Sequence, residues 1–176
     1  MAKQRERRRM SRTVRRRWQA VGLTVVLVVV GVVGYFAYRA AANLPGTAVA
    51  DQGNRHIQSA SDPHEPYNTT PPTSGPHLPY IAPWGVHTRP IPPELQVHNL
   101  EDGGVLVQYS CDCPELVDRL RAIVQKYDRF VILAPYPTMP HRIALTAWTR
   151  IDTLEDFDEG RIRRFIEAYR GIDHHR

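Results

Sequence analysis

Cysteine is scarce in this chain: two in 176 residues, Cys111 and Cys113. That is too few for a fold stapled by several disulfides. The usual catalytic signatures are missing too. There is no glycine-rich phosphate loop, no Ser/His/Asp order and no paired-carboxylate motif, so nothing supports nucleotide, hydrolase or transferase chemistry. No internal repeat is found. Basic charge is missing from most of the chain, despite a net +5. Residues 1–17, "MAKQRERRRMSRTVRRR", hold nine Lys/Arg and one acid, and the remaining 159 residues hold 14 basic and 17 acidic side chains. A nucleic-acid partner is therefore not expected.

What the N-terminal segment does have is one long apolar run. Trp18–Tyr38, "WQAVGLTVVLVVVGVVGYFAY", contains no charge over 21 residues. As a helix it would span roughly 31 Å, the thickness of a bilayer's hydrocarbon core. Trp18, Tyr35, Phe36 and Tyr38 lie near its ends, where aromatics favour the membrane interface. The basic tail, 1–17, then belongs in the cytoplasm by the positive-inside rule. The expected layout is that tail, a retained transmembrane helix over 18–38, a linker over 39–65 and an extracytoplasmic domain over 66–173. The alternative is a cleaved signal peptide, since "RAAANLPG" offers an Ala-x-Ala pattern.

Residues 66–94 hold nine of the fifteen prolines, with Tyr, Trp and His among them. Such a stretch cannot be a helix or a central strand. It reads as an ordered wrap over the domain, with Trp84 and Trp148 as packing anchors. Beyond it, Leu95–His98 reads as a short extended run and Val105–Tyr109 as a strand. Pro114–Tyr127 reads as a helix with Leu116, Leu120, Ile123 and Tyr127 inward. Phe130–Pro135 and Ile143–Thr149 read as strands. A last helix is expected within "TLEDFDEGRIRRFIEAYR", capped by Thr153 and Asp156, with Ile162, Phe165, Ile166 and Tyr169 facing in. The fold class is α+β: after the N-terminal helix, a small mixed sheet with two packing helices and a proline-rich wrap.

"HNLEDGGVLVQY", His98–Tyr109, admits two readings. As a hairpin turning on Asp102-Gly103, it puts His98 and Asp102 about 13 Å apart. As a helical turn stopped by Gly103, it puts them on one face, about 5–6 Å apart at Cβ, a spacing that can chelate one ion. Composition alone favours the hairpin.

"YNTTPPTSGPH", "APWGV", "VHNLEDGGVLVQY", "ILAPYPTMP" and "ALTAWTR" together resemble the bacterial domain of unknown function 3105 family, over about Tyr67 to Arg170. Members commonly carry an N-terminal anchor helix. The family motif usually reads His-Asn-Leu-Glu-His-Gly-Gly, so Asp102 stands here for a second histidine. Two histidines four apart are a ligand spacing, and the resemblance thereby implies the helical turn. Further family motifs supply His77 and Met139.

The candidate metal set is therefore His77, His98, Asp102 and Met139, with Cys111 and Cys113 as a secondary set. Imidazole and thioether suit copper. Hydrogen bonding of the wrap accounts equally for His77, and core packing for Met139. Glu101 reads as a solvated turn residue, His56 and His64 as linker, and His174 and His175 as a frayed tail. In "SCDCPELV" two thiols precede a helix, but thioredoxin-type exchange needs two residues between them, not one. The expected partners are the lipid bilayer and a membrane protein complex. The leading function is copper binding or delivery without catalysis. The alternatives are an accessory subunit or interaction module, and a thiol redox protein.

Overall fold

The computed structural model describes residues 2–42 and 44–175 and divides into two units, Met1–Leu44 and Pro45–Arg176. The first is a single helix, α1, Ala2–Ala42. Its segment Arg17–Phe36 has a mean hydropathy of 2.2 and is long and apolar enough to cross a membrane, as an anchor or a signal sequence is. Its apolar side chains, Val21, Leu23, Leu27 and Val30 among them, are exposed. A helix apolar on all sides has no polar face to turn to water.

The second unit is built on a six-stranded mixed sheet. Its strands are β1 (Thr47–Ala48), β2 (Gly85–Val86), β3 (Val105–Tyr109), β4 (Val131–Pro135), β5 (Ile143–Ala147) and β6 (Arg150–Leu154), in the order β1-β6-β5-β3-β4-β2. β3 runs parallel to β4 and antiparallel to β5. Three helices complete the unit: α2 (Pro93–Glu101), α3 (Pro114–Val124) and α4 (Glu159–Tyr169).

Strand alternation sorts the core into two layers. Val105, Val107, Val131, Leu133, Ile143 and Leu145 face α3 and α4, whose Leu116, Leu120, Ile123, Ile162, Phe165 and Ile166 cover them. Leu106, Ile132 and Ala134 face the other way, against Val97 and Leu100 of α2, Ala82 and Ile91 of the wrap, and Trp148. The proline-rich segment is thus the domain's second skin. Two side-chain amides sit within that layer: Gln108 on β3 donates to Gln96 of α2 at 2.9 Å.

The fold differs from the sequence reading at four places. Leu95–His98 is helical, because Pro93 opens α2 within its first turn and Glu94 lies in that turn. β6 replaces the expected start of the last helix. Its turn, Trp148–Thr149, carries no glycine, and Thr149 takes φ 55°. Thr149 is pinned there, its N–H donating to Thr73 O at 3.0 Å and its carbonyl accepting from Val49 N at 2.9 Å. Asp158, not Thr153 with Asp156, caps α4, accepting from the Arg161 N–H at 2.9 Å. The sheet takes in Thr47–Ala48, and Ile57 is buried, so packing begins at Pro45, inside the segment read as linker. A two-residue strand carries no periodicity by which a sequence could announce it. The expected linker's Asn43 lies outside the described residues. Cys111 and Cys113 are joined as a disulfide, Cα to Cα 5.4 Å.

Candidate metal centre

α2 ends where the hairpin reading would have put a turn. Asp102 N–H bonds His98 O at 3.0 Å, Gly103 N–H bonds Leu100 O at 3.1 Å, and Gly104 N–H bonds Asn99 O at 2.7 Å. Gly103 stops the helix in the left-handed region at φ 83°. A Cβ on Gly104 would lie 2.4 Å from Asn99 O, so only glycine permits the close turn into β3. The helical reading therefore holds. It points His98 and Glu101, three residues apart in the last turn, towards the wrap.

The wrap brings His77 to them, and the segment before it brings His56. The strands of chain around His56 and His77 form an isolated parallel bridge, with His77 N–H donating to Arg55 O at 3.0 Å and Ile57 N–H to His77 O at 2.8 Å. The imidazoles of His56, His77 and His98 form a near-equilateral triangle, with centroids 5.0, 5.1 and 5.2 Å apart. Glu101 faces this triangle and is 1 % exposed. One donor atom from each of His56, His77, His98 and Glu101 lies within 4.8 Å of the others.

The hydrogen bonds of the cluster leave a positive charge to be supplied. His77 Nδ1 is 2.7 Å from Gly75 O, and a carbonyl only accepts, so Nδ1 carries the hydrogen. Its Nε2 lies 2.9 Å from Glu101 Oε2. A neutral Nε2 would aim its lone pair at a carboxylate oxygen; a proton or a metal ion between the two removes that conflict. His98 Nδ1 is buried and finds no hydrogen-bond partner among the described residues, 3.9 Å from the same oxygen. Burial holds the His98 imidazole below the ordinary histidine range, against the opposing pull of Asp102 and with added repulsion from His77. A neutral ring with an unspent nitrogen is what a metal ligand requires. Glu101 Oε1 is held by Asn54 Nδ2 at 2.7 Å, and a backbone carbonyl fixes His77, the outer-shell support typical of metal-ligating side chains. The set of donors, three imidazoles and a carboxylate, fits a divalent transition metal.

The expected ligands are divided by this arrangement. His77 and His98 meet. Asp102 lies on the far side of the His98 ring, its Oδ1 3.7 Å from Nε2, in a second group with His175. Met139 is buried in the turn after β4, and Cys111 follows β3. Both therefore leave the C-terminal ends of parallel strands, whereas Asp102–Gly104 enters β3 at its N-terminal end. A five-residue strand is about 16 Å long, which separates Met139 and the cysteines from the histidine triangle. The disulfide leaves neither cysteine a thiolate to offer. Sequence reasoning missed His56, Glu101 and His175. Once α2 is helical, His98-x-x-Glu101 is itself a ligand spacing; His56 and His175 carry no local signal.

A family described as a protein of unknown function (DUF3105) matches residues 59–175. The chain belongs to this family. His77, His98, Glu101, Asp102 and His175 fall inside the segment matched to DUF3105, and His56 lies just before it. No curated protein and no solved structure matches the chain.

Proposed function

We propose that the domain binds one divalent transition-metal ion on His56, His77, His98 and Glu101, with copper(II) the preferred ion. The carrying observation is the 2.9 Å approach of His77 Nε2 to Glu101 Oε2 while Nδ1 is already committed to Gly75. The partnerless buried Nδ1 of His98 supports it. Imidazole and carboxylate donors favour copper(II) over copper(I), and copper(II) heads the divalent affinity order. The same donors also accept zinc. The chain's part in this chemistry is positional: Gly75 and Asn54 fix the ring and the carboxylate, and the burial of His77, His98 and Glu101 confines water to the exposed His56 side.

α1 is read as a retained anchor with the basic tail, 1–17, on the cytoplasmic side, which puts the domain outside the cytoplasm. There it holds copper or passes it to a membrane partner. The test is metal loading of the full chain in detergent, with copper and zinc measured by elemental analysis. One ion per chain is expected, and none in a His77→Ala/His98→Ala double variant. An unchanged stoichiometry in that variant overturns the proposal.

A second reading, an accessory subunit of a membrane complex, draws on the wrap. Tyr80 and Ile81 are adjacent, large and exposed, at 55 % and 36 %. Crosslinking from Tyr80 in native membranes tests it; recovery of uncrosslinked monomer alone counts against it.

A further inference from the structure

One oxygen of Glu101 gathers more nitrogen than the triangle supplies. His77 Nε2, His56 Nε2 and His98 Nδ1 lie 2.9, 3.8 and 3.9 Å from Oε2. A fourth imidazole, His175 Nε2, lies 3.5 Å away. It arrives from the C-terminal tail, on the side where the triangle is open: His77 is fully buried, while the side chains of His56 and His175 are each 47 % exposed.

The tail is held in place by the site's own loop. Gly171 N–H donates to Gly103 O at 2.7 Å, and His174 N–H donates to Glu101 O at 2.9 Å. The His174 ring stacks on Trp148, centroids 6.0 Å apart and 20° from parallel. Asp173 Oδ1 then accepts from both the backbone N–H of His175, at 2.9 Å, and its Nδ1, at 2.7 Å. That bond puts a hydrogen on Nδ1 and turns Nε2 towards the site, the carboxylate–histidine pairing that orients metal ligands. Asp173 and the site carboxylates raise the ring's pKa, so an ion takes Nε2 by displacing a proton. Nε2 is also 3.5 Å from Asp102 Oδ1.

We infer that Asp173–His175 closes the metal centre, with His175 as a ligand on its exposed side, oriented by Asp173. This rests on the metal-binding reading above and adds a ligand that can leave. His77, His98 and Glu101 hold the ion from the buried side; His56 and His175 face solvent, and of these two His175 alone sits on the terminal tail, where it controls exchange. Asp102, beside both His98 and His175, holds the outer wall of the site.

Copper-loaded full-length protein in detergent provides the test. The rate of copper removal by a chelator and the electron paramagnetic resonance spectrum are compared for wild type, His175→Ala and Asp173→Asn. His175→Ala is expected to keep one copper per chain, release it roughly 10–100-fold faster and show a shifted spectrum. Asp173→Asn should fall between, since the ring remains without its orienting carboxylate. Wild-type loading with an unchanged rate and spectrum in His175→Ala overturns this inference alone. Two coppers in wild type falling to one in His175→Ala overturns it in favour of a separate outer ion. Wild type that holds neither copper nor zinc overturns the underlying reading, and this one with it.

Discussion

Asn99 holds Ala82 by both of its backbone polar groups. Its Oδ1 accepts from Ala82 N and its Nδ2 donates to Ala82 O, each at 2.9 Å. One buried side chain thus stitches the wrap to α2, one residue from His98. Both partners are buried, so water cannot replace the amide if it is removed. Asn99→Ala orphans a buried N–H and a buried C=O, at about 1–3 kcal/mol each. The expected loss, measured by urea unfolding of the full chain in detergent, is about 2–4 kcal/mol. A midpoint equal to wild type would show that Ala82 is held by something else.

Glu101 carries a charge where the fold has little use for one. Its carboxylate is 1 % exposed and faces imidazoles. Glu101→Gln keeps the shape and the acceptor for Asn54 but removes the charge. The metal-free protein should keep its stability, because the new amide N–H can donate to the His77 Nε2 lone pair where a carboxylate could not. Copper affinity should fall by at least roughly 10–100-fold. Isothermal titration and thermal unfolding of the same sample separate the two effects; loss of both stability and affinity would make Glu101 a structural residue.

Gly103 joins the helix stop to the tail. Its φ is 83°, and an added Cβ would stand 2.7 Å from the Ile172 N and 2.8 Å from the Ile172 O. Gly103→Ala therefore strains the turn, by about 1–3 kcal/mol, and pushes the C-terminal segment off the loop. Limited proteolysis should show faster cleavage after Arg170. A cleavage pattern like that of wild type would mean the tail is held without this close approach.

Phe165 serves as a control from the opposite layer. It is fully buried under α4, its ring 4.8 Å from that of Tyr169. Phe165→Ala should cost about 3–5 kcal/mol by cavity formation, while copper stoichiometry at a temperature where the variant stays folded is unchanged. Loss of copper at that temperature would tie the two layers together more tightly than their packing implies.

The helices α3 and α4 were legible because their apolar residues recur at helical spacing and one face of the sheet covers them. Strands β3, β4 and β5 were legible as apolar runs for the same reason. β6 was hidden because a threonine takes a backbone conformation usually left to glycine, held there by Thr73 and Val49, which are remote in sequence. The site was half legible. His77 and His98 sit in recognisable motifs, but Glu101 looked solvated because its burial comes from the wrap and the tail, not from its own helix. His56 and His175 take their meaning from long-range packing alone. Met139 looked like a ligand by residue type, yet strand polarity carries it to the other end of the sheet.

His56, His77 and His98 are evenly spaced, 21 residues from each to the next. Between His56 and α2 the only regular element is β2, two residues long. Closing two such loops costs conformational entropy that depends only weakly on their length. In a metal-free copy, hydrogen bonds and the packing of the wrap must meet that cost unaided. An ion held at 100 times its Kd adds about 2.7 kcal/mol to the folded side. The histidine triangle thus lies as a clasp at the crossing of two loops, and an ion bound in it would set how readily the chain opens. Filled copies would outlast empty ones wherever proteases sample both, so metal supply would be written into the protein's lifetime.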